Sequence, residues 1–236
     1  MILVKKPSVY LHYLLIVIFY NVVKFTSFLL PFILGSPKKF NTSRLPLIKR
    51  MIKKHFKKKI NVLEVGTHYG LGSTQTIINC IPKHSSLTCI DMWSHKIITK
   101  YDYLLPFLST IINTADKKNI NVIKANSVFM SNLKKNSYDL IYLDGSHYYQ
   151  DVLRDIINAK KLAKKNFSII CGDDCELANS KENYKIAKSL IKKKTDKCLI
   201  DGKIFHPGVY LAVHNQLKNV IIKNGFWYCI LKKKKT

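Results

Sequence analysis

The sequence predicts an α/β protein: a doubly wound, Rossmann-like sheet of seven strands, with a C-terminal β-hairpin and an apolar N-terminal helical segment. Three observations carry this. Short β-branched and apolar runs recur between residues 60 and 171, separated by helical patterns. The first run, Ile60 to Val65, breaks into a glycine-rich turn, Gly66-Thr67-His68-Tyr69-Gly70-Leu71-Gly72, that opens a helix. Near the end, Asn224-Gly225 separates two β-rich runs, a strong hairpin signal.

The chain has 236 residues, 47% of them hydrophobic, enough for one α/β domain with a real core plus an appendage. The expected division is an apolar segment (1–36), a linker and amphipathic helix (37–59), and the main domain (60–236), with 175–206 as a cap over its site. Residues 8–34 are the most apolar stretch, interrupted by Lys24. Three readings fit them: a transmembrane or re-entrant anchor, an interfacial helix pair on an anionic surface, or a helix covering the sheet or a dimer partner. No small-residue cleavage site marks a signal peptide. Ser36 to Pro46 reads as a linker. Leu45, Ile48, Met51, Ile52, His55 and Phe56 then fall at helical spacing, with lysines elsewhere, as expected of a helix over 44–58 laid on the sheet. His55 reads as a flank residue of that helix.

Strand one is 60–65, and the helix after the glycine turn carries Ser73, Thr74, Ile77, Ile78 and Ile81. Strand two, Leu87 to Ile90, ends at Asp91. A helix over 96–115 leads to strand three, Ile120 to Lys124, which ends at Ala125-Asn126-Ser127. Strand four, Tyr138 to Leu143, ends at Asp144-Gly145-Ser146-His147, and a helix over 149–164 follows. Strand five, Phe167 to Cys171, ends at Gly172-Asp173-Asp174. Residues 175–206 are the least patterned and contain a lysine-rich helix near 181–194. His206-Pro207-Gly208 opens a helix over 209–218, and the hairpin closes the chain.

The glycine order narrows the ligand. Glu64-x-Gly66-x-x-x-Gly70-x-Gly72 differs from the G-x-G-x-x-G that seats a pyrophosphate. A carboxylate before the first glycine repels a pyrophosphate and suits an ammonium group. The expected ligand therefore has an amino-acid end and a nucleoside end, as S-adenosylmethionine does. Asp91, at the end of strand two, is placed for ribose hydroxyls. Met92-Trp93 beside it could pack on an adenine or belong to the core. Asn126-Ser127 lie where adenine contacts fall. Asp144, Asp173 and Asp174 meet at the ends of neighbouring strands, and without lysine partners they call for a cation. Oxygen ligands suit Mg²⁺ or Mn²⁺, which would orient a substrate hydroxyl and lower its pKa. His147 could then take the proton as general base.

Formal net charge is +26, which raises a nucleic-acid or anionic-membrane partner. The charge is nearly all lysine, the only arginines being Arg44, Arg50 and Arg154, and arginine leads where phosphates are read in bidentate fashion. Lys53-Lys54, Lys57 to Lys59 and Lys232 to Lys235 are the candidate basic patches. The six cysteines form no C-x-x-C pair, so reduced thiols are expected and a zinc site is not.

Val62 to Thr67, Tyr142 to Tyr149 (Tyr-Leu-Asp-Gly-Ser-His-Tyr-Tyr), Gly172-Asp173-Asp174 and His206 to Val209 resemble the class I methyltransferase family that includes macrocin-type sugar O-methyltransferases. The resemblance spans about residues 44–232. It implies that Glu64, Gly66, Thr67, Gly70, Gly72, Ser73, Asp91, Met92, Asn126, Ser127 and Asp144 hold S-adenosylmethionine. It further implies that Asp144, Asp173 and Asp174 ligate Mg²⁺ or Mn²⁺, with His147 as the base. The expected activity is metal-assisted O-methylation of a sugar, glycan or lipid-linked hydroxyl, in a cytoplasmic domain attached to or lying on a membrane through residues 8–34. An RNA-modifying or nucleic-acid-binding methyltransferase and a non-catalytic membrane scaffold are the alternatives.

Overall fold

The computed structural model describes residues 43–93, 104–115 and 119–232, together with Val22. The apolar stretch 8–34, most of the expected linker and the start of the expected helix 96–115 lie outside them. No helix among the described residues is long and apolar enough to cross a membrane.

Nine strands form among the described residues: β1 (Asn61–Val65), β2 (Ser86–Asp91), β3 (Ile120–Lys124), β4 (Leu140–Leu143), β5 (Phe167–Cys175), β6 (Cys198–Ile200), β7 (Lys203–Phe205), β8 (Ile221–Lys223) and β9 (Gly225–Lys232). Seven make one sheet in the order β3-β2-β1-β4-β5-β9-β8. The first five in it run parallel, while β9 is antiparallel to β5 and β8 to β9. The winding runs outward from β1 to β3, then returns to β4 on the other side of β1. That reversal opens a crevice at the carboxyl ends of β1 and β4. The chain has the class I methyltransferase fold, with the expected C-terminal hairpin at its edge.

The helices are α1 (Leu45–His55), α2 (Ser73–Cys80), α3 (Leu104–Ala115), α4 (Tyr149–Leu162), α5 (Lys181–Lys192) and α6 (Pro207–Gln216). The central strands are buried on both faces, which is why their sequences read as continuous apolar runs. On one face Ile48, Met51 and Ile52 of α1 and Ile77 of α2 pack on Val62, Leu87, Leu140 and Ile169. On the other, Val152, Ile156, Ala159 and Leu162 of α4 and Val209 to Val213 of α6 pack on Leu63, Val65, Ile141 and Ile170. All six cysteines are free thiols.

The structure departs from expectation in three places. Tyr138 stands outside β4 in an isolated bridge to Ala163. The cap contains a small hairpin, β6–β7, beside the expected helix. Strand five does not stop before the paired aspartates: β5 continues through them to Cys175. Its register with β9 shifts there, from Gly172 opposite Trp227 to Cys175 opposite Gly225. Asp173 and Asp174 thus share one partner, Phe226, in a β-bulge, and Asp174 takes a positive φ of 65°. Trp227 is buried against this bulge and donates from Nε1 to the Asp173 carbonyl at 3.0 Å.

Trp227→Ala should lower the denaturant midpoint by an amount equivalent to about 3–5 kcal/mol, the cost of emptying a large aromatic site. A variant within about 1 kcal/mol of wild type in urea unfolding would show that Trp227 does not hold the bulge.

Candidate active site

A cavity of about 640 Å³ opens at the carboxyl ends of the parallel strands. Gly66, Thr67, Gly72 and Ser73 form its wall after β1, Asp91 and Met92 after β2, and Asn126 and Ser127 after β3. Asp144 and His147 line it after β4, and Asp173 from β5. The structure therefore brings most of the expected site residues to one crevice. Gly66 cannot be another residue, because with φ at 86° a Cβ would lie 1.9 Å from the Asp144 carbonyl oxygen. Its N–H bonds the Ile90 carbonyl at 2.9 Å, which stitches the loop to the end of β2.

Asp91 shapes that loop. Its Oδ2 accepts the N–H groups of Thr67 and His68, each at 2.8 Å, and its Oδ1 accepts that of Trp93. A carboxylate has about four acceptor positions, so capacity for a ribose hydroxyl is left. Trp93 is a core residue: it is buried, tilted against Phe107 with ring centroids 4.9 Å apart, and donates to the His68 carbonyl. Met92 is exposed at the cavity and touches Asn126, whose Oδ1 accepts from Val128 N.

Glu64 and Gly70 differ from expectation. Strand alternation turns Glu64 away from Leu63 and Val65, toward the α1–α2 face. It is fully buried, its Oε1 has no hydrogen-bond partner among the described residues, and it is not part of the cavity wall. A direct contact with a ligand ammonium group is therefore replaced by a place behind the loop. Burial pushes its pKa up to about 7, against the hydroxyls of Ser73 and Thr74. Gly70 closes the turn through its N–H to the Thr67 carbonyl and also lies outside the wall.

The acidic cluster holds the main correction. Asp173 and Asp174 are not without a basic partner. One nitrogen of Arg44, Nη1, lies 2.6 Å from Asp173 Oδ2 and 2.8 Å from Asp174 Oδ1, and Nη2 lies 3.7 Å from Glu176 Oε1. The guanidinium stands between the oxygens expected to bind Mg²⁺ or Mn²⁺, so the set Asp144, Asp173 and Asp174 does not fit that ion in this arrangement. The donors that do converge are His147, Asp174 and His206, with one ligand atom from each within 4.8 Å of the others.

His147 bridges two carboxylates. Its Nε2 lies 3.1 Å from Asp174 Oδ2 and its Nδ1 3.2 Å from Asp196 Oδ1. Burial acts to lower its pKa, but Asp174 and Asp196 outweigh it and hold the imidazole above its ordinary value. The His206 ring lies tilted against it, with centroids 4.6 Å apart, and places Nδ1 2.8 Å from Glu176 Oε1. Asp174 is buried too, yet His147, His206 and Arg44 keep it below the usual carboxylate range. Burial raises Asp173 to about 6 despite Arg44. Burial, then Asp173 and Asp174, push Asp144 well above the ordinary value.

Arg44, Asp196, Glu176 and His206 were not foreseen as site residues. Arg44 carried a signal: it is one of three arginines in a chain of lysines, and it and Arg154 both line this cavity. Asp196 sits in the unpatterned cap and had none.

A second cavity, about 740 Å³, lies at the amino ends of the strands between Phe56 and Phe167, with Lys57, Lys58, Lys59, Lys164 and Lys165 around it. These five lysines lie at the edge of the sheet opposite the crevice.

Residues 63–175 match a family model described as "Methyltransferase domain". Together with the fold, this makes the chain an enzyme of the methyl-transferring class. Two solved structures share the fold. A structural-genomics protein from Corynebacterium glutamicum has a TM-score of 0.55 at 11% identity, covering 91% of this chain and 91% of its own. The O-methyltransferase TomG from Streptomyces achromogenes, involved in tomaymycin synthesis and solved with SAM, has a TM-score of 0.55 at 11% identity, covering 89% of each chain. No curated protein matches the sequence.

The Glu64 shift gives a testable sign. The unfolded chain releases this proton near 4.5 and the folded one near 7. The folded state holds the extra proton between those values, so stability falls as pH rises through that window. Glu64→Gln removes this fall. Its urea midpoint should gain on wild type between pH 5 and 8, and parallel profiles would refute the assignment.

Proposed function

We propose that the chain transfers the methyl group of S-adenosylmethionine to an acceptor hydroxyl, with His147 receiving the hydroxyl proton. The observation that carries this is the position of His147, held by two carboxylates at the edge of a cavity walled by the glycine loop, Asp91 and Asn126-Ser127. When bound, the cofactor supplies an electrophilic methyl group on a sulfonium, open to in-line displacement, so the chain's share of the work is positioning and proton removal.

The loop from Gly66 to Ser73 offers close backbone approach, and Asp91 keeps that loop in shape. Burial and its acidic neighbours disfavour the ionised form of Asp144, so a sulfonium or ammonium charge nearby would favour that form, which suits a cationic cofactor. An imidazole with both nitrogens on carboxylates is protonated, since both must donate. His147 therefore has to lose a proton before it can act as a base, and activity should rise with pH through its raised pKa.

The acceptor is a hydroxyl-rich molecule of the sugar, glycan or lipid-linked class. Tyr148, Asp151, Arg154 and Asp196 give the cavity polar groups that suit such a molecule better than an apolar one. The nucleic-acid reading draws its support from the lysines at the other edge, away from the carboxylates.

His147→Ala should abolish methyl transfer while calorimetry still detects S-adenosylmethionine binding; full turnover in that variant removes His147 as the base. Asp196→Asn takes away one of the carboxylates that hold the imidazolium. The acidic limb of its pH–rate profile should move to lower pH, and an unmoved limb would show that Asp196 does not tune His147.

A further inference from the structure

The geometry points to Arg44 as a built-in cation that takes the place of a divalent metal among Asp144, Asp173 and Asp174, an inference that rests on the methyltransferase reading of the same crevice. The two nearest oxygens, Asp173 Oδ2 and Asp174 Oδ1, both lie on Nη1, at 2.6 and 2.8 Å. Mg²⁺ bound by that pair would sit about 2.1 Å from each oxygen, in the space the guanidinium nitrogen fills. Metal and arginine are alternatives there. Arg44 also reaches Asp174, which it shares with His147 and His206, so an ion on those donors would contend with the same positive charge.

The guanidinium is built in. Its side chain is 12% exposed. It leaves the residue preceding α1, and that helix is fixed to the sheet by Ile48, Met51 and Ile52, all buried. From the other side it meets the β8–β9 turn. A Cβ at Gly225 would come 2.8 Å from Nη2, so the guanidinium lies close against the backbone of that turn, whose φ of 83° itself calls for glycine. The carboxylates hold the guanidinium firmly in its charged form against the effect of burial. Three separated parts of the chain, at residues 44, 173–174 and 225, thus converge on one fixed positive charge.

The single charge of Arg44 serves two aspartates and leaves Asp144 without a cation of its own. The cofactor's positive charge can then complete the balance. Arg44 fixes the bulged aspartates, one of which orients His147, and acts on the reaction through them as a positioning residue.

The test measures Mn²⁺ binding on the full chain by the loss of the free-ion paramagnetic resonance signal, without reference to turnover. Wild type should bind no Mn²⁺ tightly. Arg44→Met keeps the aliphatic stem and removes the charge, and should bind Mn²⁺ on the order of a hundredfold tighter, since a like charge has left the oxygens. Adding Asp173→Asn to that variant should abolish the gain. If Arg44→Met does not fold, Arg44→Gln serves, with circular dichroism as the check. Tight Mn²⁺ binding by wild type overturns the inference, and so does a folded variant with no gain. S-adenosylmethionine binding, measured separately on wild type, tells a failure of the methyltransferase reading from a failure of this one.

Discussion

Consecutive residues on a strand face opposite sides of a sheet, so two adjacent aspartates should not reach one partner. The bulge in β5 breaks that rule for Asp173 and Asp174, and the rest of the site depends on the break. Both carboxylates reach Arg44, and Asp174 also reaches His147. The extra residue is tolerated because β5 lies between a parallel neighbour that ends at Leu143 and an antiparallel one that can shift register. Asp174 takes a left-handed conformation, which aspartate adopts more readily than most residues, and its three basic neighbours hold it ionised.

The charge of the molecule is divided along the strand direction. A chain with 40 basic and 14 acidic residues brings Asp144, Asp173, Asp174, Glu176 and Asp196 to one end of the sheet, where Arg44 pairs with three of them. The lysines of the second cavity sit at the other end. Net charge therefore describes the wrong end of the protein for its chemistry. The crevice is a local negative field inside a positive envelope, and low-dielectric walls strengthen that field where a cationic ligand would enter.

Most of the fold could be read from sequence because it rests on local signals. The apolar runs of β1 and β4, the Gly66 turn, and Asn224-Gly225 each specify their conformation within a few residues. What escaped reading depends on distance or on register. Arg44 meets Asp174 across 130 positions, and no local pattern announces that pairing. The bulge changes which way Asp174 faces without changing the strand signal. Glu64 sits in a motif associated with ligand contact, yet alternation from Leu63 sends it behind the loop. The β6–β7 hairpin is short and largely exposed, with Leu199 and Ile204 outward, so its apolar residues do not read as a core.

The position of Arg44 also decides where the working unit begins. Family similarity covers residues 63–175, a span that opens inside β1 and closes at the end of β5. A fragment cut to those limits would keep the crevice and its aspartates. It would lose the counter-charge from upstream, and downstream it would lose Asp196, His206 and the β9 strand that templates the bulge. The smallest piece able to carry the whole charge balance runs from the residue before the first helix through the final hairpin. The outlying segments therefore carry part of the crevice's charge, although they lie outside the residues that match the family model.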